Sequence, residues 1–376
     1  MANFSKIDPN IWDRVKTFSA DQTFDCLVWV EKDFSFSNIS NLKYHYYPFI
    51  RAFKLNSTYC DILSLSDNSY IKYISSVQKA STFLNCVCQE IDAQTLFCSN
   101  CQGKDVCVAV IDTGCSPHVD LMLGKNRIEK FVDFVNGKEK IYDDNGHGTF
   151  VCGVIAGNGL LSNKKYHGIA PKSKLVVLKA LNKNGETQVF TILDAMQWII
   201  DNKERYNIKV VCMSFGSEPL EFNDPLRIGA EVLWDEGLVV VCASGNDGAS
   251  VVGVKSPAIS SKVISVGACE YKDGSCRVAS FSSYGEFEGV ARPDIVAPGV
   301  NVVSLSANSE NYVTMSGTSV STPVVAGAVC LMLEKSPNLT PNKIKSLILN
   351  SATKLEDEKR KSGAGVVNVA NVVSNL

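Results

Sequence analysis

From about residue 105 onward, continuous apolar runs alternate with amphipathic segments, and this alternation restricts the possible folds more than any other feature. The run at 106–111 is apolar at every position, as expected for a strand that is buried on both faces. Further strands are predicted at 174–180, 210–213, 238–243 and 263–267, and helices at 189–203, 225–236, 319–335 and 341–351. This order of elements predicts βαβ units around a mainly parallel sheet, which makes a three-layer α/β domain.

The first hundred residues have a different character. Strands are predicted over 26–31 and near 49–55, and a helix near 68–78, which together suit a small α+β unit. Residues 81–104 show little periodicity and are interpreted as a linker. The sequence therefore predicts two domains, residues 1–100 with the linker and residues 104–376.

Composition and charge exclude several classes of partner. The formal net charge of −2 gives no electrostatic reason to expect binding to nucleic acid or to an anionic membrane. The N-terminus shows no basic segment followed by an apolar core, and the apolar run at 324–333 is too short to span a bilayer. The expected location is therefore the cytoplasm; the alternative is export by a route that the sequence does not reveal.

The chain contains 14 cysteines, which without a secretory signal are expected to be mostly reduced, buried thiols. Four of them, Cys86, Cys88, Cys98 and Cys101, form a C-x-C and C-x-x-C set that is compatible with a zinc site. Chance clustering in a cysteine-rich chain explains the same spacing and is the preferred interpretation.

Four polar residues stand where chemistry is expected in such a fold, at strand ends and helix starts. Asp112 ends the first strand of the larger domain, His147 begins a helix, and Ser319 begins another. A serine hydroxyl needs a base to become a good nucleophile, histidine serves near neutral pH, and a carboxylate can orient the imidazole. Asn246 follows a strand, and its side-chain amide is a candidate donor to an oxyanion together with the backbone N–H of Ser319.

Each of these residues alone has an ordinary explanation. Asp112 and Asn246 would more often be turn residues, and Ser319 would more often be a helix cap. Their combination, in the chain order Asp, His, Ser, favours a nucleophilic hydrolase.

The motifs around these residues resemble those of the subtilisin-like serine proteases. They are Val110-Ile111-Asp112-Thr113-Gly114, Asn145-Gly146-His147-Gly148-Thr149, Ala243-Ser244-Gly245-Asn246 and Gly317-Thr318-Ser319-Val320-Ser321-Thr322-Pro323. The resemblance extends from about residue 104 to the C-terminus and is greatest to the AprX-like intracellular branch. It implies a subtilisin-like fold and a serine endopeptidase that acts through an Asp112–His147–Ser319 triad and an acyl-enzyme. The sequence departs from the usual family pattern at Phe150, Val320 and Ser321, none of which is a catalytic group.

The resemblance also implies a cleft that binds polypeptide substrates as extended strands. Glu186 lies on a segment that borders the cleft in the family, and Glu186 and Asp247 would favour basic substrate residues unless they are solvated surface acids. The two walls of the cleft correspond to Ser214, Phe215 and Gly216 on one side and to Ala243, Ser244 and Gly245 on the other.

By its position, the N-terminal unit resembles a subtilisin propeptide, which would act as a folding aid and intramolecular inhibitor removed by self-cleavage. The alternative is an unrelated accessory domain. No cofactor is required for the implied catalysis. Structural calcium is a weak expectation, with Asp120 and Asp294 as candidate ligands, because two lysines occupy the loop that would complete the site at Asp120.

The main alternative function is an inactive or weak relative that acts as a binding or regulatory protein. An α/β-hydrolase would need the order Ser, acid, His and a G-x-S-x-G elbow, which the sequence does not show.

Overall fold

The structure is a computed structural model, and it divides into two compact units, Met1–Ser81 and Thr82–Leu376. It describes residues 3–8, 11, 23–39, 42–48, 51–76, 91, 101–220, 223–248, 253–272, 275–307, 311–374 and 376. Each unit is described by itself.

The first unit contains a four-stranded antiparallel sheet in the order β2-β3-β1-β4. Its apolar core includes Val28, Phe53, Leu55, Ile62 and Ile74. The helix of this unit, Tyr59–Ser66, begins after Thr58. The Thr58 side chain accepts a hydrogen bond from the backbone N–H of Asp61, and the Asp61 carboxylate accepts one from the N–H of Thr58. The elements are β1 Thr23–Val30, β2 Tyr44–Tyr47, β3 Ala52–Thr58, α1 Tyr59–Ser66 and β4 Ile71–Ser76.

The prediction of a helix near 68–78 is wrong, because the described part of this stretch is a turn at 68–70 followed by strand β4, Ile71–Ser76. Its register against β1 shifts between Trp29 and Val30, so that Val28 faces Ile74 and Val30 faces Ile71. The bulge brings Ile71 and Ile74, three residues apart, into the same core. Spacing of three between buried residues imitates the helical period, which explains the error.

The second unit is built on an eight-stranded sheet in the order β11-β10-β9-β8-β5-β7-β6, with β14 paired to β10. All of its pairings are parallel except that of β10 with β11. Every residue of β5 is buried, as the apolar run predicted. The strands of the sheet are β5 Cys107–Asp112, β6 Ile128–Asp133, β7 Lys174–Lys179, β8 Ile208–Met213, β9 Val239–Ala243, β10 Ile264–Lys272, β11 Ser275–Val278 and β14 Ile295–Pro298.

Two hairpins of short strands accompany the sheet. They pair β12 Gly285–Phe287 with β13 Val290–Arg292, and β15 Val302–Leu305 with β16 Tyr312–Met315.

The helices predicted at 189–203, 225–236, 319–335 and 341–351 are present, as is the helix predicted to begin at His147, whereas the short helices at 119–122, 359–362 and 369–374 were not predicted. The helices of the second unit bury an apolar core between themselves and the sheet. Thr340 caps one of them by accepting a hydrogen bond from the N–H of Lys343, and Pro341 follows as the first helical residue. The helices are α2 Val119–Met122, α3 His147–Ala156, α4 Val189–Asn202, α5 Pro225–Asp235, α6 Thr318–Lys335, α7 Pro341–Asn350, α8 Lys359–Ser362 and α9 Val369–Ser374.

Strand β5 lies where the direction of chain progression reverses, with β7 on one side and β8 on the other. Ligands of open α/β sheets bind at the carboxyl ends of strands at such a point. Asp112 is the last residue of β5, so the fold places it there.

Nine of the described cysteines have buried thiols, as the sequence led us to expect. Burial raises the pKa of several of these thiols, including Cys26, Cys107 and Cys212, each to about 12. Within the described ranges, no helix combines the length and the apolar character needed to cross a membrane.

Candidate active site

The carboxylate of Asp112 and the imidazole of His147 form a direct hydrogen bond. His147 Nδ1 lies 2.8 Å from Asp112 Oδ1, which also accepts a bond of 2.7 Å from the N–H of Thr113. The first residues of α3 lie against the turn after β5, since a Cβ on Gly148 would lie 2.1 Å from the carbonyl oxygen of Gly114. Only glycine permits this approach, which brings the end of β5 and the start of α3 together.

The environment of His147 shifts its proton affinity upward. Burial alone would lower the pKa of the imidazole, but the charge and hydrogen bond of Asp112, with a further contribution from the Asp143 charge, raise the pKa above its ordinary value. The His147 side chain is 27% exposed, whereas that of Asp112 is 1% exposed, so solvent reaches the imidazole and not the carboxylate.

Asp143, which the sequence reasoning did not single out, organises the turn that carries His147. Its Oδ1 accepts hydrogen bonds from Thr113 Oγ1 and from the N–H groups of Asn145 and Gly146, and its Oδ2 accepts bonds from the N–H and Oγ1 of Thr149. Burial would raise the pKa of this carboxyl, but the hydrogen bonds hold it below its ordinary value. Asp143 therefore joins the segment after Asp112 to the first turn of α3.

Lys179 is a second residue that the sequence reasoning missed. Its side chain is fully buried, and its Nζ donates to Thr113 O at 2.6 Å, to Asp144 Oδ1 at 2.6 Å and to Leu181 O at 3.0 Å. A buried ammonium group needs such partners because its desolvation is costly. The lysine thus fixes the turns after β5 and β7 beside the Asp112–His147 pair.

Ser319 is the second residue of α6, where backbone N–H groups have no partner within the helix. The N–H of Thr318 donates to Asn246 Oδ1 at 2.8 Å, and the N–H groups of Val320 and Ser321 both donate to Gly317 O. The hydrogen bonds of the described residues assign no acceptor to the N–H of Ser319. This donor is therefore available to a ligand at the positive end of the helix.

Thr318 fixes the orientation of the Asn246 amide. Asn246 Oδ1 accepts bonds from both the N–H and the Oγ1 of Thr318, which leaves Nδ2 as a donor on the other side. A Cβ placed on Gly317 would lie 3.1 Å from Ser319 Oγ and 3.3 Å from Asn246 Nδ2, so these two atoms border the same small space. Thr318 belongs to the serine motif, but its role in orienting the Asn246 amide is apparent only from the three-dimensional contact between the two residues.

The structure thus joins the predicted residues in two groups, Asp112 with His147 and Ser319 with Asn246. Helices α3 and α6, which begin beside these groups, pack on one another. The hydrogen bonds found among the described residues do not include one from Ser319 Oγ to His147. Catalytic hydrogen bonds are often long in unliganded enzymes and tighten when substrate binds.

The two predicted cleft walls differ in their backbone hydrogen bonding. Along the Ala243–Ser244–Gly245 wall, Ser244 N donates to Val266 O, Ser244 O accepts from Lys255 N, Gly245 N donates to Thr318 Oγ1, and Gly245 O accepts from Ser283 N. Along the other wall, no loop hydrogen bond of the described residues uses the N–H or C=O of Phe215 or Gly216. Among the residues that the structure describes, this second wall therefore has the backbone groups that an extended peptide could bind.

Both acids that were considered for specificity lie in defined surroundings. Glu186 borders a cavity of about 570 Å³ with Phe134, Gln188 and Thr191. Asp247 forms an ion pair with Lys255, with 2.5 Å between Oδ2 and Nζ. The carboxylate of Asp247 is therefore already neutralised by a residue of this chain.

The two weak calcium candidates are engaged by protein donors. Asp120 accepts hydrogen bonds from the N–H of Leu161 and from the hydroxyl of Tyr312. Asp294 forms ion pairs with Arg292 and Lys345. Two cations beside one carboxylate disfavour a third, so Asp294 does not fit as a calcium ligand, and structural calcium gains no support from either residue.

The possible zinc set falls mostly outside the described residues, since only Cys101 is described. Its thiol is buried and donates to Leu331 O. Over the part of the chain that the structure describes, no group of three or more His, Cys, Asp or Glu side chains is arranged to hold a metal ion.

The three departures from the usual family motifs lie in buried positions. Phe150 is fully buried, Val320 is 1% exposed, and Ser321 Oγ donates to Ala297 O at 2.9 Å. They belong to the interior of α3 and α6, where they contribute to packing.

An α/β domain with a parallel sheet, an acid–base pair at the switch point and a serine beside an amide donor defines a serine hydrolase of the subtilisin type. Comparison with known proteins supports this class. The profile described as Subtilase family, Peptidase S8, matches residues 103–367. The chain belongs to this family of subtilisin-like serine proteases, as the motifs predicted.

Serine protease AprX of Bacillus subtilis is 42% identical over 298 residues, which cover 72% of this chain and 66% of that protein, just under two thirds. Subtilisin Savinase of Lederbergia lenta is 36% identical over 266 residues, which cover 71% of this chain and 90% of that protein. Among solved structures, Sphericase is similar with a TM-score of 0.64 and 28% identity, over 71% of this chain and 92% of that chain.

Proposed function

We propose that the protein is a serine endopeptidase in which Ser319 is the nucleophile, His147 the general base and Asp112 the residue that orients the histidine. The observation that carries the proposal is the 2.8 Å bond between His147 Nδ1 and Asp112 Oδ1. It fixes the tautomer with hydrogen on Nδ1 and leaves Nε2 to accept the serine proton.

The reaction uses only groups of this chain and needs no cofactor. Ser319 Oγ attacks the peptide carbonyl carbon while its proton moves to His147 Nε2, and the oxyanion accepts hydrogen bonds from Ser319 N–H and Asn246 Nδ2. The histidine then gives the proton to the leaving amine, and the C–N bond breaks to form an ester on Ser319. Water, deprotonated by His147, attacks this ester and releases the acid product and the serine.

We place the substrate as an extended strand along Ser214, Phe215 and Gly216. Support comes from the backbone groups on this wall, which the described residues leave without partners, whereas the wall formed by Ala243, Ser244 and Gly245 uses its own internally.

Two finer parts of the proposal rest on the family resemblance. The N-terminal unit, within residues 1–100, would be an inhibitory propeptide for a catalytic domain at 104–376, and the chain would process itself. The cytoplasmic location stays a prediction. A non-catalytic binding role is the alternative, and the presence of all three triad residues argues against it.

The test is covalent labelling with a fluorophosphonate probe, together with hydrolysis of casein. The wild type should be labelled and should release peptides, whereas Ser319→Ala should do neither, because only an activated serine attacks the probe. Ser316→Ala is the matched control, since Ser316 is exposed and its hydroxyl accepts a bond from Asn301 N. Labelling that persists in Ser319→Ala would disprove the assignment of the nucleophile.

A further inference from the structure

A third segment, formed by Lys255 and Ser256, runs between the two cleft walls and is bonded to both. Lys255 N donates to Ser244 O at 2.9 Å, and Ser256 exchanges two backbone bonds of 2.9 Å with Ser217. The segment therefore forms the floor of the slot between Gly216 and Gly245.

The side chain of Lys255 occupies this slot from its first atoms onward. A Cβ on Gly216 would lie 2.7 Å from Lys255 Cβ, and a Cβ on Gly245 would lie 2.8 Å from Lys255 Cγ. Both glycines thus make room for the lysine stem. The Cβ and Cγ atoms of Lys255 are close to its backbone and therefore cannot move aside as the end of a long side chain can. The Lys255 side chain is only 14% exposed.

The charged end of the stem connects the two walls. Its Nζ pairs with Asp247, which follows the Ala243–Ser244–Gly245 wall, and with Glu218, which follows the opposite wall. Burial would lower the pKa of this ammonium group, but the bonds and charges of Asp247 and Glu218 raise it, so the lysine stays protonated at neutral pH. Two ion pairs hold the stem across the slot.

This slot adjoins the atoms that the proposed reaction uses. Gly245 directly precedes Asn246, and its N–H donates to Thr318 Oγ1 at 3.1 Å, beside Ser319. A peptide carbonyl placed at Asn246 Nδ2 and Ser319 N–H would therefore direct the side chain of its own residue into the slot.

We propose that Lys255 is a specificity-determining residue, an inference that rests on the proposed function. Its stem fills the slot, so the enzyme cleaves after short side chains such as Ala or Ser and excludes aromatic ones. Asp247 then selects no basic side chain, because Lys255 already pairs with it. Volume decides the selection, since each methylene that a pocket accepts or rejects changes kcat/KM by roughly tenfold or more.

The experiment measures kcat/KM of the full chain on peptide p-nitroanilides that differ only in the residue before the scissile bond, with Ala, Phe, Glu and Lys at that position. The wild type should cleave the Ala peptide at least roughly tenfold better than the Phe peptide. Lys255→Gly should raise the Phe-to-Ala ratio at least roughly tenfold. Lys255→Met, which keeps a stem of similar length without charge, should keep the ratio within about threefold of the wild type, because the volume in the slot is nearly unchanged.

Lys262→Met is the matched control, because Lys262 pairs with Asp235 on the surface. If the wild type has a higher kcat/KM on the Phe peptide than on the Ala peptide, the inference is overturned. This comparison does not depend on the folding of any variant. A Lys255→Met that shifts the ratio as far as Lys255→Gly also overturns it, since charge and not volume would then decide. Fluorophosphonate labelling of the wild type separates the outcomes, because an enzyme that is not labelled and cleaves no peptide contradicts the proposed function itself.

Discussion

At the scale of single residues, the site depends on a carboxylate that is held from one side. Asp112 Oδ1 accepts bonds from His147 and Thr113, whereas Oδ2 is buried and has no hydrogen-bond partner in the part of the chain that the structure describes. An incompletely bonded buried carboxylate is costly and is stabilised best when the imidazole opposite carries a positive charge. The arrangement therefore favours the protonated histidine that the proposed reaction forms.

We expect Asp112→Asn to lower kcat by about 10⁴-fold while the fold persists, because the amide no longer holds the required tautomer. Catalysis needs neutral His147, so wild-type kcat/KM should fall as the pH drops through the raised pKa of this histidine, above the ordinary value of about 6.5. In Asp112→Asn the midpoint of this acid limb should move to lower pH. Asp235→Asn, at an exposed ion pair, is the control and should leave the midpoint in place.

The same pair affects stability with a definite sign. The pKa of His147 is raised in the folded protein, so folding favours its protonated form. The contribution is fully present below the unfolded pKa and is lost as the pH rises through the folded pKa. An acid limb of kcat/KM that does not move between wild type and Asp112→Asn would contradict this coupling.

At the scale of elements, the residues of the proposed triad lie at two helix N-termini and one strand end, and the positions of these elements were predictable from sequence. The buried run ending at Asp112 and the helix beginning at His147 are where the patterns indicated. The short strands β11 to β16 were not predicted, because three or four residues carry too little periodicity, and the six-residue strand β6 was missed as well. Helix α1 was missed although its capping signal, Thr58 with Asp61, is readable.

The triad candidates were accessible from motifs, whereas the residues that support them were not. Lys179 and Lys255 bind partners that are distant from them in the sequence, and neither lysine belongs to a recognisable motif. Asp143 lies beside the histidine motif, but its importance comes from the hydrogen bonds that it accepts after folding. Contacts between distant segments require the three-dimensional arrangement, which a single sequence does not provide.

For the contact between β5 and α3, we expect Gly148→Ala to destabilise the protein by roughly 3 kcal/mol and to reduce activity strongly. The added methyl group would lie 2.1 Å from Gly114 O, so α3 must shift and carry His147 away from Asp112. Thermal unfolding and casein hydrolysis measure the two effects. Gly285→Ala is the control, since its nearest neighbour would lie 3.4 Å away; equal melting temperatures for the two variants would refute the argument.

At the scale of the whole molecule, the chain contains two units with separate apolar cores. The first includes Phe53 and Ile62, and the second is organised around the buried strand β5. Each unit thus has the interior that an independently folding domain requires. This organisation is compatible with a catalytic domain and a removable N-terminal domain.

If the protein processes itself, the purified wild type should be cleaved between about residues 81 and 104, while Ser319→Ala should keep its full length. Intact-mass spectrometry after incubation reads both outcomes, and Ser316→Ala should be cleaved as the wild type is. Equal cleavage of wild type and Ser319→Ala would point to another protease and would remove the self-processing step from the proposal.

The buried thiols have a practical consequence. A thiolate and not a thiol reacts with alkylating agents, and the thiols of Cys107 and Cys212 are buried and have raised pKa values. Maleimide can therefore modify Cys107 or Cys212 only after the sheet opens locally, so the rate of modification reports the frequency of this local opening. Cys60 is exposed, so its modification needs no opening and provides the reference rate.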